Sequence, residues 1–600
     1  MADGPIDYGR FEDGFGVNYW ELDPPLRAEA ERLYPDGEWA WAEERLDDLG
    51  AVTGGPIAEN AEEIDRQGHE LRTYDEMGEV QNHVEYHPLQ HENDRLAYSR
   101  GVVSDAFSAP EGRDDPVGLQ HTLTMQTILC MADAGFVCPV SMTSGAAIVL
   151  QQFGDGEYER EYLERLTTRD LDEHVEGAMF LTEKQGGSDV GANEVRAEPT
   201  DEDRVYELYG EKWFCSNIDA EGTLALARRP DAPEGTAGLS MFIVPHTKRN
   251  GELNDQLYRR LKDKLGTIAV PTGEVEFRGA EAYLVGEAEE GFRYMAEMMN
   301  FERLTQATGS VGGIGRALLE SKIYAADREA FGDAIDQYPL MRRDLVDMQV
   351  DYEGGLAFTF EAARWYDQYK RSEGFGPGED SVTEDTDTAF KLFRLLVPIA
   401  KYKLARMGVD VTSYACEVKG GNGYVNGFVT ERLLRDAQVG PIWEGTSNIL
   451  SLDVLRVLNK EAAHEALFPF VRERIEAAEH PHLVDLAETV EAEFADLQEA
   501  LVALAGEDPE YAQHEAKQLA DYIFDVVTAA LLLERAQEQL DDGDARKALV
   551  AEWFVETRFR QRDARGITDG RALPDEHFDE IVHFAPLSPD ELVDAAPADD

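Results

Sequence analysis

The chain has little cysteine for its 600 residues, and its four cysteines form neither a Cys-x-x-Cys pair nor a cluster with histidine at metal-ligand spacing. We therefore expect neither a disulfide framework nor a metal site. Long apolar runs are also missing, since no stretch approaches the roughly 18 to 20 uninterrupted apolar residues of a membrane-spanning helix. The first residues, MADGPIDYGRFEDGFG, lack the basic and apolar segments of a signal peptide. These absences predict a cytoplasmic protein without a membrane span.

Basic residues are scarce relative to acidic ones. Lys and Arg number 56 against 121 Asp and Glu, which gives a formal net charge of −65 at pH 7. The acidic residues are spread along the whole chain, so their charge repels nucleic-acid phosphates. Such a surface also stays hydrated in concentrated salt, where the screening length shrinks to about 3 Å at 1 M. The composition therefore suggests a halophilic cytoplasm and disfavours nucleic acid as a partner.

Changes of pattern along the chain predict a mainly α fold with a central β-domain. The run HTLTMQTILCMADAGFVCPVSMTSGAAIVLQQF (121–153) has apolar residues all round, as in the central helices of a bundle. A block of short β-rich runs follows, separated by Gly, Pro and Asp turns as in a small barrel or sandwich, and long helical patterns then return. A stretch rich in Ala, Glu and Leu follows at helical spacing. The predicted segments are an N-terminal extension (1–70), an N-terminal helical domain (71–175), a β-domain (176–287), a C-terminal helical bundle (288–460), an additional helical domain (461–585) and a disordered acidic tail (586–600).

Two motifs near the β-rich block could bind a cofactor. In MFLTEKQGGSDVGAN (179–193), Thr and Ser flank a glycine pair, so that hydroxyls and backbone N–H groups can meet a diphosphate. In GEKWFCSN (210–217), an aromatic residue and a hydroxyl on one strand can cover a planar ring and bond to its edge. Taken singly, the first motif is also consistent with an ordinary turn and the second with a plain core.

A third motif contains a candidate base. In AQVGPIWEGTSNILSLDVLRVL (437–458), Glu444 stands in an apolar, small-residue stretch before a predicted helix, where desolvation would make its carboxylate a stronger base. A structural alternative is a glutamate placed at the positive end of a helix dipole. Between the motifs lie REAFG (328–332) and the glycine-rich EVKGGNGYVNG (417–427), whose backbone can approach a ligand closely.

Taken together and in this order, these segments resemble the acyl-CoA dehydrogenase superfamily. The resemblance is greatest to the AidB-like branch of this superfamily, and it is carried by the sequence motifs LTEKQGGSD, KWF, RLKDKLG, YPLMR and IWEGTSNI. It covers about residues 70–460. It implies a helical N-terminal domain, a β-domain and a C-terminal four-helix bundle, with FAD held between the β-domain and the bundle of one subunit and touched by another. The residues implied to bind FAD are Leu181, Thr182, Ser188, Phe214, Ser216, Arg328, Phe331, Gly421, Thr446 and Asn448. The chain departs from the family at Glu417 and Asn448, where relatives usually or often carry Gln.

The same resemblance implies a reaction. Glu444 would remove the α-proton of an acyl-CoA thioester, whose carbonyl oxygen takes hydrogen bonds from the Glu444 N–H and from a ribityl hydroxyl of FAD. The β-hydride would pass to FAD, the product would be a trans-2-enoyl-CoA, and the electrons would reach an electron-transfer flavoprotein. In some relatives the base stands on an earlier helix, where this chain has Glu302 followed by Arg303, so Glu302 is the alternative base and Arg303 a substrate-binding candidate. A homotetramer is expected because several FAD contacts cross a subunit interface.

Two alternative functions remain from the sequence. One is an AidB-like flavoprotein that associates with nucleic acid, for which the basic cluster RFRQRDAR (558–565) is the main support. Its four Arg would have to act against the net charge of −65. The other is an acyl-CoA oxidase, in which oxygen reoxidises the flavin.

Overall fold

The computed structural model of the chain describes residues 5–35, 37–378, 381–560 and 572–594. Its helices are α1 (Pro24–Glu31), α2 (Trp39–Val52), α3 (Ala58–Gln67), α4 (Pro88–Tyr98), α5 (Leu119–Cys130), α6 (Ala134–Phe153), α7 (Glu157–Thr167), α8 (Gly291–Asp327), α9 (Pro339–Ser372), α10 (Thr386–Val418), α11 (Thr430–Ala437), α12 (Ser447–Lys460), α13 (His464–Glu476), α14 (Pro481–Gly506), α15 (Pro509–Asp541), α16 (Arg546–Arg558), α17 (Leu573–Glu576), α18 (Phe578–Val582) and α19 (Pro589–Asp594). Its strands are β1 (Glu70–Tyr74), β2 (Val80–Glu85), β3 (Gly177–Phe180), β4 (Arg196–Pro199), β5 (Val205–Ser216), β6 (Gly222–Arg228), β7 (Leu239–Ile243), β8 (Gln256–Leu261), β9 (Thr272–Leu284), β10 (Glu329–Ala330) and β11 (Asp333–Ala334). The chain divides into two compact units, here called the barrel unit (Asp48–Gly309 and Lys370–Val382) and the bundle unit (Met1–Asp47, Ser310–Tyr369 and Thr383–Asp600).

The barrel unit is built around a seven-stranded sheet of β3 to β9. Strand β6 runs parallel to β3 and antiparallel to β7, while β9 pairs with β5, β7 and β8. Because β7 pairs with both β6 and β9, the sheet closes on itself as a barrel. Side chains of β6 alternate between two cores: Ala225 and Ala227 join a core made mostly of strand residues, and Leu224 and Leu226 join one shared with α6, α7 and α8.

Within the described residues, α6 is the helix that is long and apolar enough to cross a membrane, and 83% of its most apolar window is buried inside the protein. Polar side chains also interrupt its apolar faces: the hydroxyl of Thr143 bonds to the carbonyl of Pro139 at 2.7 Å and accepts the Gly177 N–H at 2.9 Å. A helix buried among the strands and helices of its own unit has the all-round apolar pattern of a core helix.

The bundle unit packs the long helices α9 and α10 with α12 and the C-terminal helices. Buried ion pairs join these segments: Glu353 on α9 is contacted by both Arg546 and Lys547 of α16. Glu361, two turns further along α9, contacts Arg474 of α13 and Arg535 of α15 at 3.1 Å each. The C-terminal helices are therefore fastened to the bundle through charged groups as well as apolar ones.

The predicted fold class, mainly α with a central β-domain and added C-terminal helices, is confirmed. Two segments differ from prediction, and the six boundaries themselves stay predictions. Residues 70–85, expected to be almost entirely helical, form the antiparallel pair β1–β2, whose alternating exposure suits a half-buried hairpin. Part of the predicted disordered tail forms α19, which begins at Pro589 with acidic residues in its first turn, while residues 595–600 lie outside the described residues.

Candidate functional site

The turn after β3 carries three of the predicted FAD contacts. Leu181 is buried, Thr182 is half-buried and Ser188 is exposed. The Thr182 carbonyl accepts the main-chain N–H of Trp213 at 2.9 Å, which places the turn beside the end of β5. A Cβ added at residue 187 would lie 2.6 Å from the Thr182 hydroxyl oxygen, so a larger residue there would displace the Thr182 side chain. The structure thus brings the two predicted cofactor motifs together.

A buried ion pair joins these two motifs, and the sequence alone did not predict it. Lys212 Nζ lies 2.7 Å from Glu183 Oε1, and both side chains are almost fully buried. The Glu183 carboxylate also accepts the backbone N–H of Glu194 at 2.6 Å. Burial lowers the pKa of Lys212, and the neighbouring Glu183 charge opposes this effect. The sequence signal was weak, because Glu183 and Lys212 stand among other charged residues of their motifs and are equally consistent with surface charges.

A β-bulge near the end of β5 contains two aromatic residues and sets their orientation. Strand β5 has one extra residue against β9 between Lys212 and Cys215, and Trp213 and Phe214 occupy the bulge. Phe214 is 54% exposed, an unusual position for a phenylalanine on a central strand. The Ser216 hydroxyl lies 3.0 Å from that of Thr272. The bulge therefore presents an aromatic ring beside a polar strand end.

A lysine that directly follows β8 contacts the same two aromatic rings. Lys262 Nζ lies 3.7 Å from the centre of the Trp213 ring and 4.6 Å from that of Phe214. It also forms an ion pair of 2.8 Å with Glu274. This cation holds the two rings in place through cation–π attraction. Lys262 belongs to RLKDKLG (260–266), but its contact with the aromatic motif was not predictable from the sequence, because the two segments are far apart along the chain.

Glu302 lies inside the barrel unit on α8. Its carboxylate accepts a hydrogen bond of 2.8 Å from the Ser141 hydroxyl of α6, which is also 2.7 Å from the Thr305 hydroxyl. A Cβ at Gly145 would lie 2.9 Å from a Glu302 carboxylate oxygen, so α6 and α8 approach closely here. The adjacent Arg303 is half-buried. Glu302 is thus held in the contact between two helices.

Glu444 occupies a strained turn in the bundle unit, two residues before the cap of α12. Its φ is +53°, in the left-handed region that non-glycine residues rarely adopt, and Gly445 follows at +102°. Thr446 is the N-cap residue of α12, and Asn448 is exposed in the first turn. Glu444 therefore stands just outside α12, near its N-terminal end, in a conformation that is not helical. Backbone strain of this kind is typical of functional sites.

The turn is held by a buried lysine from α10. Lys401 Nζ donates hydrogen bonds to the carbonyl oxygens of Trp443 at 2.5 Å and Gly445 at 2.6 Å, on either side of Glu444. The Lys401 side chain is fully buried. The sequence reading missed this residue, because KYKLAR resembles an ordinary helix surface.

The predicted contacts Arg328 and Phe331 lie at a small hairpin after α8. Phe331 and Gly332 form the turn between β10 and β11, both with positive φ. The Phe331 ring is fully exposed, and its nearest aromatic neighbour is Tyr338 at 6.3 Å between ring centres. Arg328 is exposed as well. A fully exposed phenylalanine in a strained turn is costly within one chain, which is consistent with a contact outside it.

Gly421 lies in an exposed 3₁₀ turn, Gly420–Tyr424. A Cβ at Gly421 would meet nothing within 4 Å in the described chain, whereas one at Gly423 would lie 2.2 Å from the Cys416 carbonyl oxygen. The glycine that the fold of this chain requires is therefore Gly423. Tyr424 is 94% exposed beside it.

The predicted site residues fall into two groups. The barrel unit contains Leu181, Thr182, Ser188, Phe214 and Ser216, whose two segments are joined by the hydrogen bond from the Trp213 N–H to the Thr182 carbonyl, as well as Glu302 and Arg303. The bundle unit contains Arg328, Phe331, Gly421, Glu444, Thr446 and Asn448. The roles assigned to all these residues stay predictions.

Comparison with protein families shows three matches that together span most of the chain. Residues 12–173 match the adaptive response protein AidB N-terminal domain, residues 178–280 the acyl-CoA dehydrogenase middle domain, and residues 289–459 the acyl-CoA dehydrogenase C-terminal domain. The last range contains the Glu444 turn, Lys401 and the Phe331 hairpin.

Individual related proteins indicate the same family as these domain matches. The chain is 31% identical to acyl-CoA dehydrogenase family member 11 of Caenorhabditis elegans over 87% of this chain and 84% of the relative. It is 34% identical to the putative acyl-CoA dehydrogenase AidB of Escherichia coli over 66% of this chain and 70% of that protein. The crystal structure of C. elegans ACDH-11 in complex with C11-CoA superposes with a TM-score of 0.84 at 28% identity, covering 93% of this chain and 94% of that one.

Proposed function

Because the chain belongs to the acyl-CoA dehydrogenase family, in its AidB-like branch, we propose that it oxidises the Cα–Cβ bond of an acyl-CoA thioester to a trans-2-enoyl-CoA. It is an oxidoreductase of a family whose cofactor is FAD. When bound, FAD supplies the acceptor for the β-hydride. The observation that carries the proposal is the Glu444 turn, which holds a carboxylate and its own main-chain N–H in a fixed, left-handed conformation.

In this proposal Glu444 accepts the α-proton at its carboxylate. A base alone is insufficient, because the carbanion next to a thioester is unstable and needs donors fixed at the carbonyl oxygen. The Glu444 N–H is the donor that this chain provides. The half-buried position of the residue limits competition from water.

The barrel unit offers donors and shape that fit FAD. Gly187 leaves room in the turn where any Cβ would meet Thr182, and the exposed Ser188 hydroxyl can donate to a phosphate oxygen. The exposed Phe214 ring, with Ser216 two residues away, fits a planar heterocycle with a polar edge. Leu181 and Thr182 would contact the same group. We assign the remaining FAD contacts to Arg328, Phe331, Gly421, Thr446 and Asn448.

Glu302 has a supporting role in this proposal. The Ser141 hydroxyl donates to its carboxylate at 2.8 Å, so the fold holds this side chain in the contact between α6 and α8. Arg303, the next residue, is assigned to the acyl-CoA substrate. The proposal predicts that changing Glu302 shifts the pH dependence of the reaction, because it removes a charge coupled to that of the base.

We propose an acyl-CoA substrate, an electron-transfer flavoprotein as electron acceptor, and a homotetramer. The substrate class is supported by the relative crystallised with C11-CoA. The oligomer is supported by the fully exposed Phe331 and the 94% exposed Tyr424. The net charge of −65 supports a halophilic cytoplasm as the place of action.

The nucleic-acid alternative loses support in the described part of its basic cluster. Arg558 pairs with Asp351 at 2.5 Å, and Arg560 pairs with Glu556 at 2.5 Å and with Asp485. These two guanidinium groups are therefore already neutralised by carboxylates of the same chain. The rest of the cluster, from residue 561, lies outside the described residues.

The test is anaerobic titration of the yellow protein with a panel of straight, branched and aromatic acyl-CoA thioesters. At least one thioester should bleach the flavin, and an enoyl-CoA should form in equal amount. Peroxide formation after air is admitted would indicate an oxidase instead. A flavin that no thioester bleaches would contradict the proposed function.

A further inference from the structure

Lys401 is a buried cation whose hydrogen bonds go to main-chain groups of the Glu444 turn. Its ammonium, fully buried on α10, donates to the carbonyls of Trp443 at 2.5 Å and Gly445 at 2.6 Å. Burying an ammonium is costly unless strong acceptors surround it. Two carbonyls at such short distances are charge-assisted contacts, which are the stronger class of hydrogen bond. The lysine and the turn therefore stabilise each other.

The first of these carbonyls shares a peptide group with the Glu444 N–H. The bond between residues 443 and 444 is a planar trans amide, so its C=O and N–H point in opposite directions. By fixing the direction of the Trp443 carbonyl, Lys401 fixes the direction of the Glu444 N–H. A cation at the oxygen also draws electron density from the nitrogen, which makes the N–H a stronger donor.

The second carbonyl belongs to the peptide group between residues 445 and 446, on the far side of Gly445. Glu444 has a φ of +53°, which is unfavourable for a non-glycine residue and persists only where its surroundings enforce it. With both flanking carbonyls held by one ammonium, the peptide planes before Glu444 and after Gly445 cannot rotate independently. The backbone at Glu444 is therefore held at two points, and with it the direction of the Glu444 N–H.

We propose that Lys401 is a positioning residue for thioester oxidation: through the 443–444 peptide group it aims and strengthens the N–H that polarises the thioester carbonyl. This inference rests on the proposed function. It makes no claim that Lys401 touches the substrate. Its effect is on how strongly the carbonyl is polarised, and hence on how readily the α-proton leaves, with little effect on how tightly the thioester binds.

The experiment compares Lys401→Met, which keeps the length of the side chain without the charge, with the unchanged protein. The first reading is the infrared carbonyl stretch of a bound enoyl-CoA labelled with ¹³C at the thioester carbon. The second is the rate and substrate dependence of flavin reduction in stopped flow. Lys322→Met is the matched control, since Lys322 is also a buried lysine of the bundle unit but contacts the rings of Tyr8 and Phe584 instead of the turn.

In the unchanged protein the carbonyl band should move to lower frequency on binding, and Lys401→Met should lose much of this shift. Flavin reduction should slow by about 10- to 100-fold, less than the roughly 10²- to 10³-fold cost of deleting an oxyanion donor, with little change in substrate affinity. Lys322→Met should keep the full band shift. If Lys401→Met does not retain its flavin, the same readings are made on Lys401→Arg, whose planar group reaches the two carbonyls differently and should give a reduced shift.

A full band shift and an unchanged reduction rate in the Lys401 variant would overturn the inference and leave the proposed function intact. A band shift that falls equally in Lys322→Met would also overturn it, because any buried lysine would then have the same effect. If the unchanged protein shows no band shift and no thioester bleaches its flavin, the proposed function itself fails.

Discussion

At the scale of single residues, Ser188 is the clearest test of the FAD assignment. Its hydroxyl is exposed in the turn after β3, where it can donate to a charged phosphate oxygen. A hydrogen bond to a charged group contributes about 1.5 to 3 kcal/mol, so Ser188→Ala should weaken FAD retention by roughly 10- to 100-fold without unfolding the barrel. Flavin content after dialysis and equilibrium titration of the apoprotein measure this. Ser108→Ala is the control, since its hydroxyl bonds to the Ser104 carbonyl. Equal flavin content in both variants would mean that the phosphates bind elsewhere.

The sequence predicted the residues whose chemistry is local. Glycines that allow a tight turn, hydroxyls beside them and a lone carboxylate in an apolar stretch can be recognised from a short window, as with Ser188 and Glu444. Lys262 and Lys401 could not be recognised in this way. Each contacts a group about 40 to 50 residues away, and a lysine on a helix or strand indicates a solvated surface unless the fold is known.

At the scale of elements, the β10–β11 hairpin displays Phe331 at its tip, where the described part of the chain leaves the ring fully exposed. We predict that Phe331→Asn, which keeps a residue that tolerates positive φ, weakens the assembly and releases flavin more readily. Light scattering coupled to size-exclusion chromatography across a dilution series measures the mass. Met77→Asn is a matched control, because Met77 is 86% exposed in the β1–β2 turn. An assembly of unchanged mass and flavin content in Phe331→Asn would contradict this assignment.

Helices and strands with strong periodic patterns were predictable, and half-exposed ones were not. The all-round apolar runs of α5 and α6 and the strands of the barrel follow directly from their hydrophobic patterns. The β1–β2 hairpin did not, because its segments ELRTY and VQNHVE are mostly polar and only alternate residues are covered. The attachment of the C-terminal helices was also unpredictable, since it uses buried ion pairs between residues nearly 200 positions apart.

At the scale of the whole molecule, the net charge of −65 predicts that stability depends on salt. Screening lengths fall from about 10 Å at 0.1 M to about 3 Å at 1 M, so added salt should relieve repulsion between surface carboxylates. Buried clusters are screened much less. Although burial raises the pKa of Glu361, the charges of Arg474 and Arg535 outweigh it and lower the value to about 2, so this contribution persists at neutral pH and is lost only as the pH falls from about 4.5 through 2.

We therefore expect the melting temperature at pH 7 to rise continuously with KCl, and the protein to lose structure in dilute buffer. Circular dichroism melts over a salt series provide the measurement. A melting temperature that is independent of salt, or falls with it, would contradict the halophilic assignment.

The central claim is that Glu444 is the base, and stopped-flow flavin reduction in Glu444→Gln tests it most directly. The amide keeps the shape of the side chain and leaves the backbone N–H in place, but it cannot accept the α-proton. The variant should fold, stay yellow and bind acyl-CoA, yet reduce its flavin more slowly by about 10²- to 10⁴-fold, the usual cost of losing a general base. Glu302→Gln, measured beside it across pH, should cost less and mainly shift the pH profile. Rapid reduction in Glu444→Gln together with an inactive Glu302→Gln would contradict the account and place the base on α8.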